Sequence, residues 1–229
     1  MNPGVVRAAA SVLTLTALAG CPGEAPGDDQ PPPDGGEVPD GGAGGLVFTW
    51  HTTPAIPSTG ADGIRIDEVQ LQLRDVRAIG DAAPGDGRTS RASLTLEWDG
   101  SHAPDPLRFD QAPPGLYSTL ALRVEGGYEI RGGVLRDGTW TPCKIEDDAA
   151  GPVSVPLDAL SLEVGHTVTL PIQIDLAAVM NAVRWADVPV DDDELVVDED
   201  SPQIAAVRQR LQHVFTAGAP TSAVTGQLR

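Results

Sequence analysis

Apolar residues fall at every second position in four separate stretches of this chain, and that period restricts its fold more than any other feature. Val69, Leu71 and Leu73 alternate with Gln70, Gln72 and Arg74, and Leu94, Leu96 and Trp98 alternate with Thr95 and Glu97. Leu120, Leu122 and Val124 repeat the pattern, and Val168, Leu170, Ile172 and Ile174 carry it furthest, against Thr169, Pro171, Gln173 and Asp175. Successive side chains of an extended strand point to opposite faces, so each stretch reads as a strand with one buried face and one wet face. Leu46 to Trp50 is expected to open the folded part as a further strand. Pro171 lacks a backbone N–H, which places it at a sheet edge or a bulge.

Turn residues punctuate these runs at Ala83-Pro84-Gly85-Asp86-Gly87, Asp99-Gly100, Gly126-Gly127, Asp137-Gly138 and Gly165. Short strands at this spacing predict a mostly β protein, an antiparallel β-sandwich of Ig-like or transthyretin-like type. Helix is expected at the C-terminal end, capped by Ser201 with Pro202 at its first position. Ile204, Val207, Leu211, Val214 and Phe215 follow helical spacing there, which makes that helix amphipathic, and Gly218 marks its end. Leu176 to Trp185 admit a shorter helix. There is no regular strand–helix alternation, no Rossmann-type glycine fingerprint and no convincing internal repeat.

The N-terminal portion has a different composition. Pro22 to Gly45 consists almost wholly of Pro, Gly, Asp and Glu, with no positive charge. Such a segment cannot bury enough apolar area to offset its ordering entropy, and its like charges extend it. It reads as a tether spanning roughly 25–30 Å as a flexible chain. Before it, Arg7 is followed by an uncharged stretch from Ala8 to Ala19, weighted by Val12, Leu13, Leu15 and Leu18. That length suits the apolar region of an export signal and is too short to cross a bilayer as a helix. At its end, Leu18-Ala19-Gly20-Cys21 resembles the lipobox of bacterial lipoprotein precursors.

The resemblance implies cleavage before Cys21, a diacylglyceryl group on its thiol and usually acylation of the new N-terminus. Two or three acyl chains, at about 0.8 kcal/mol per buried methylene, make such an anchor effectively permanent. In that family an Asp after the cysteine commonly retains the protein at the inner membrane. Pro22 stands there instead, which implies the outer membrane. The expected organisation is a signal peptide at 1–20, a disordered acidic stalk at 21–45, a β-sandwich domain with its C-terminal helix at 46–216, and a flexible tail at 217–229. A second resemblance covers about a dozen residues. Gln111-Ala112-Pro113-Pro114-Gly115-Leu116-Tyr117 is similar to the turn that introduces a strand in uncharacterised lipoprotein β-sandwich domains, as in transthyretin-like and carboxypeptidase-regulatory-like sandwiches. It implies a fold and carries no functional residues with it.

Thirty-three acidic residues against 15 basic ones give a formal charge of -18 and a pI near 4.3, a field that repels nucleic-acid backbones. The densest set of potential ligands is Asp187, Asp191, Asp192, Asp193, Glu194, Asp198, Glu199 and Asp200. Calcium would need several of their oxygens from one loop, but the spacing does not fit an EF-hand. A solvated acidic loop with helix-dipole charges is the preferred reading, and Asp147-Asp148 is read the same way. His51, His102, His166 and His213 are scattered singly, without zinc-pair spacing. There is no G-x-S-x-G elbow, Walker A loop or kinase signature. Trp50, Trp98, Trp140, Trp185, Tyr117 and Tyr128 could build a sugar platform if exposed together, and core packing is their default role. Cys143 reads as a small buried hydrophobe. These features point to a non-catalytic lipoprotein with no cofactor or metal site, held to the membrane through Cys21. Its expected partner is an envelope protein, a polysaccharide or a small ligand. The alternatives are an envelope hydrolase acting on glycans or peptides, or a calcium-dependent adhesion module.

Overall fold

The structure is a computed structural model that describes residues 44–60, 62–81 and 87–224. The expected signal segment, Cys21, the expected stalk through residue 43 and most of the expected 83–87 turn lie outside these residues. In chain order the strands are β1 (Gly44–Thr53), β2 (Ile64–Gly80), β3 (Ser90–Asp99), β4 (Leu107–Ala112), β5 (Gly115–Arg136) and β6 (Thr139–Leu162). They continue with β7 (His166–Asp175), β8 (Val190–Asp191), β9 (Glu194–Val197), β10 (Phe215–Ala217) and β11 (Thr221–Val224). Helix α1 (Leu176–Met180) follows β7, and α2 (Ile204–Leu211) precedes β10.

Two sheets result. The first runs β10-β7-β1-β4, with β11 also on β7, and the second runs β3-β2-β5-β6-β9-β8, one of the two being a curled half-barrel. The alternating residues behave as strand geometry requires. Val69, Leu71, Leu73, Leu96, Trp98, Leu120, Leu122, Val124 and the 168–174 set are all buried in one continuous core to which both sheets contribute. Leu94 is partly buried and packs against it.

β5 and β6 are 22 and 24 residues long and join through Asp137-Gly138, whose φ angles of 49° and 81° fit a type I′ hairpin turn. Straight strands of that length could not share one core. Bulges bend them at Gly126 and Gly127 in β5, and at Gly151, Asp158 and Ala159 in β6, all with positive φ. Gly126-Gly127 is therefore an irregularity inside a strand, not the turn its dipeptide suggested.

The sheets are also not purely antiparallel. β1 runs parallel to β7, and β6 runs parallel to β9. Period-2 alternation reports which face is buried and says nothing about the direction of a neighbour. Pro171 lies within β7 and not at an edge. Its carbonyl accepts from Gly218 N–H at 2.8 Å, on the side where β10 ends and β11 has not begun. The N and C=O of one strand residue face the same way, so the missing N–H falls in that gap.

The ends differ from expectation as well. β1 begins at Gly44, before the expected boundary at 46. Ala217 and Thr221–Val224 are not a flexible tail but short antiparallel strands on β7, whose free side supplies backbone partners. Ser201 and Pro202 form a turn ahead of α2, whose N-cap is Gln203 without a side-chain bond. Ser201 is diverted to Asp198, accepting from its N–H at 3.1 Å and donating to its Oδ1 at 2.9 Å.

Two glycines test this account of the hairpin. A Cβ at Gly138 meets nothing within 4 Å, so Gly138→Ala should cost only its left-handed backbone, about 1 kcal/mol. A Cβ at Gly132 would collide with the Arg65 carbonyl of β2, so Gly132→Ala should cost about 3 kcal/mol or more by forcing β2 from β5. Urea denaturation of both variants measures the difference, and equal losses would contradict the close β2–β5 approach.

Candidate functional site

Cleft-forming residues come from three neighbouring strands of the second sheet and the turn before α2. Gln70 and Gln72 of β2, Tyr128 and Glu129 of β5, Glu146, Asp147 and Asp148 of β6, and Asp198, Glu199 and Asp200 of the turn enclose about 430 Å³. Gln70 and Gln72 fall on the face of β2 opposite its apolar residues, which is why they line this space and not the core.

Asp147 is the anchor of the cleft. Strand alternation in β6 buries Cys143, Ile145 and Asp147 together, so a carboxylate stands where a hydrophobe would be expected. Its cross-strand partner is Tyr128, whose hydroxyl donates to Oδ2 at 3.1 Å. Arg208 of α2 donates from Nε to Oδ2 at 2.6 Å and from Nη2 to Oδ1 at 2.7 Å, and Asp148 N–H donates to Oδ1 at 2.9 Å. Four donors match the four acceptor positions of a carboxylate. Burial pushes the Asp147 carboxyl up, but the bonds from Arg208, Tyr128 and Asp148 outweigh it and hold the group below the usual carboxylate range. The Tyr128 hydroxyl is driven well above the ordinary tyrosine range by burial and by the Asp147 charge.

Other carboxylates of the cleft are partly engaged. Glu129 pairs with Arg131, and Glu146 with Lys144 at 2.8 Å. Asp198 folds its own turn through Ser201 and the Asp200 N–H. Asp148, Glu199 and Asp200 are exposed on the rim.

The acidic run identified in the sequence is divided by the fold. Asp198, Glu199 and Asp200 reach the cleft, whereas Asp192 and Asp193, at φ 43° and 67°, turn the β8–β9 hairpin between Asp191 and Glu194. Asp187 ends a separate 3-10 turn at Trp185–Asp187. Among the described residues, no group of three or more His, Cys, Asp or Glu is placed to hold a metal ion. The four histidines stay apart. His102 bonds Asp99 in a local turn, His166 lies near Glu163 and Ser222, and His51 and His213 are exposed. Trp50, Trp98, Trp185, Tyr117 and Tyr128 are buried, leaving Trp140 as the exposed member of the aromatic set, so no shared platform forms. Trp140 instead stacks under Arg65, 5.4 Å from its ring centre.

Cys143 is buried between Gly132 and Leu195 in their ladders, and its thiol is pushed up to about 12, first by burial and then by Glu194 and Asp67. A thiol reagent should therefore modify Cys143 only on unfolding. Rapid labelling of the folded chain at neutral pH would show that the core around it opens.

The network predicts an asymmetry. The Arg208 side chain is 39% exposed and the Asp147 side chain 1%. Arg208→Ala leaves a buried anion short of its main partner and should cost roughly 2–3 kcal/mol, below the range for wholly buried pairs because Arg208 already meets water. Asp147→Asn leaves Arg208 free to hydrate and should cost about 1 kcal/mol. Because folding lowers the Asp147 pKa, its contribution is full above the unfolded carboxylate range, near 4, and fades as pH falls below it. The stability gap between wild type and Asp147→Asn should narrow below about pH 4, measured by urea titration. A gap that does not change with pH would exclude the ionised pair.

No known protein family and no curated protein matches the chain. Among solved structures, a crystal structure of a "putative cell adhesion protein" from Bacteroides ovatus ATCC 8483 overlaps it at 8% identity and a TM-score of 0.20. The overlap covers 58% of this chain and 39% of that protein, a likeness too slight to bear on fold or function.

Proposed function

We propose that this chain is a lipoprotein of the bacterial cell envelope, anchored through Cys21, that presents its β domain for binding or structural interaction and not for catalysis. The finer reading of the fold is a β-sandwich of Ig-like or transthyretin-like type. Tyr117 supports it. The chain crosses from the first sheet to the second between β4 and β5, and there the Tyr117 hydroxyl donates to the Pro113 carbonyl at 2.6 Å. A tyrosine bonding back to the backbone just upstream is the corner contact found in sandwiches of this kind.

The engagement of Asp147 carries the functional reading. A general acid or base must exchange a proton near working pH, and Asp147 is held as an anion by four donors. The deepest carboxylate of the cleft is thereby committed to docking α2 on β6. What the cleft offers a partner is the outer layer, the amides of Gln70 and Gln72 and the exposed carboxylates of Asp148, Glu199 and Asp200. Such a surface suits hydrogen-bonded recognition of a polar ligand, whether an envelope protein, a polysaccharide or a small molecule. The lipobox Leu18-Ala19-Gly20-Cys21 and the acidic stalk supply location and reach, with the outer membrane as the destination that Pro22 implies.

Metabolic labelling with a palmitate analogue tests the anchor. Label should be lost in Cys21→Ser and kept in Cys143→Ser, and the labelled protein should fractionate with outer membranes and leave them only in detergent. Label that survives Cys21→Ser, or protein released from membranes by salt alone, would refute the anchored reading.

A further inference from the structure

The loop between β1 and β2 folds over the start of β2 and encloses a small cavity of about 220 Å³ against α1. Register brings these parts together. Thr53, the last residue of β1, pairs with Asp175, the last of β7, and α1 starts at the next residue, so the loop leaves β1 beside the helix. Ser58 then fixes the loop to β2, its N–H donating to the Ile66 carbonyl at 2.8 Å and its Oγ accepting the Ile66 N–H at 2.7 Å. Pro54, Ile64, Ile66 and Ala177 give the cavity an apolar wall.

The polar groups on the lining are mixed in kind and uncommitted. Thr53, Thr59, Asp62 and Asn181 all line the cavity, and among the described residues none of their side chains has a hydrogen-bond or ionic partner. Asn181 caps α1 through its backbone N–H, on the Ala177 carbonyl at 2.9 Å, which leaves its amide to the cavity. Ser58 is 9% exposed, and its hydroxyl, having accepted from Ile66, still holds a hydrogen that no described residue accepts. A buried donor is costly unless bonded, so this hydrogen requires an acceptor in the cavity.

These groups restrict the chemistry of a ligand. Ser58 needs an acceptor, an ionised Asp62 takes only donors, and Thr53, Thr59 and Asn181 take either. An anion offers acceptors alone, is repelled by Asp62 and finds no Arg, Lys or His in the described lining. An ammonium group offers donors alone and leaves Ser58 unmatched. A peptide strand finds no edge here, because Ser58 already takes both backbone groups of Ile66. An alcohol hydroxyl is donor and acceptor at once, and a sugar ring carries several of them around a C–H face that suits Ile64 and Ile66. The volume falls below the roughly 300–1,000 Å³ of sites for drug-sized ligands, which suits a single ring. Gly60, in the same lining, lies so close to the Trp140 ring that a Cβ there would stand 2.6 Å from it, and Trp140 is exposed. An indole therefore flanks the cavity.

We infer that this cavity is a binding site for one pyranose unit, free or at the end of a glycan, with Ser58, Asp62 and Asn181 bonding its hydroxyls. The site shares no lining residue with the Asp147 cleft and does not depend on Cys21; it rests only on the reading of the domain as a binder.

The test titrates the purified full chain with methyl glycosides of glucose, galactose, mannose and N-acetylglucosamine, followed by saturation-transfer NMR and calorimetry. At least one glycoside should bind saturably in the millimolar range, and Asp62→Ala and Asn181→Ala should each weaken it roughly ten-fold. Both side chains are exposed, so thermal melts of these variants should match wild type. Gln72→Ala, in the Asp147 cleft, should leave binding unchanged. Tighter binding of the matching disaccharide marks a glycan end as the natural ligand, and equal binding a free sugar. Absence of binding by every glycoside at high millimolar concentration, or binding unchanged in both variants, overturns the inference. Binding of lysine amide or inorganic phosphate at these residues in place of sugar also overturns it. Nitrophenol release from the nitrophenyl form of a bound glycoside would instead keep the site and refute the non-catalytic reading.

Discussion

The β5–β6 hairpin is the constraint on which the rest of the molecule depends. Its ladder runs from Gly115 opposite Leu162 to Arg136 opposite Thr139, and every other strand of the second sheet is added outward from it. A two-residue I′ turn sets the register at one end. The apolar faces then fix that register along its length, because a one-residue slip would expose Leu120, Leu122, Ile130 and Ile145 at once. Bulges at Gly126-Gly127, Gly151 and Asp158-Ala159 convert two long strands into a curved surface. Curvature lets one sheet enclose residues from the other, and it opens the cleft at Tyr128 and Asp147, next to the first bulge.

A buried carboxylate at the middle of that hairpin is an expensive choice. Replacing a buried ion pair by hydrophobes of similar shape is often neutral or stabilising, so Asp147 is weak evidence for stability as such. Its effect is better understood as positional. Helix α2 is eight residues long, too short to persist alone in water, and must be held by what it touches. Ile204, Val207 and Leu211 supply apolar contact, which is tolerant of rotation and sliding. The bidentate Arg208–Asp147 pair and the bond from Gln212 to the Ala150 carbonyl are directional and fix the helix in one register against β6. That register also places Asp198, Glu199 and Asp200 on the cleft rim.

Much of the fold was legible from periodicity. The strands around 46–50, 69–73, 94–98, 120–124 and 168–174 lie where alternation put them, because burial of one face is what alternation encodes. β6 escaped notice because prolines at 142, 152 and 156 and the 147–151 stretch interrupt its apolar positions. Strand direction was illegible for the same physical reason that alternation works: it carries face and not polarity. The cleft was only half visible. Asp198 to Asp200 stood out as charge, whereas Asp147 passed as solvated because it was considered with Asp148 and not with its alternate neighbours. Cys143, Ile145, Asp147 is a period-2 series with an acid in the third place, and a carboxylate on an inward face always requires a partner. Arg208, 61 residues away, could not be assigned to it from spacing.

Charge is distributed with the same economy. A chain this acidic would be expected to present one continuous negative surface, and four of its strand cations, Arg65, Arg123, Arg131 and Lys144, are further paired with acids two positions away, a pairing that the pleat itself makes geometrically available. Such pairs contribute little to stability because both partners are exposed. They do cancel local fields, and that sharpens the contrast between the places left uncancelled. Those places include the carboxylate rim of the cleft. Local recognition can therefore arise from which carboxylates lack a neighbouring cation, with the total charge setting only the long-range field.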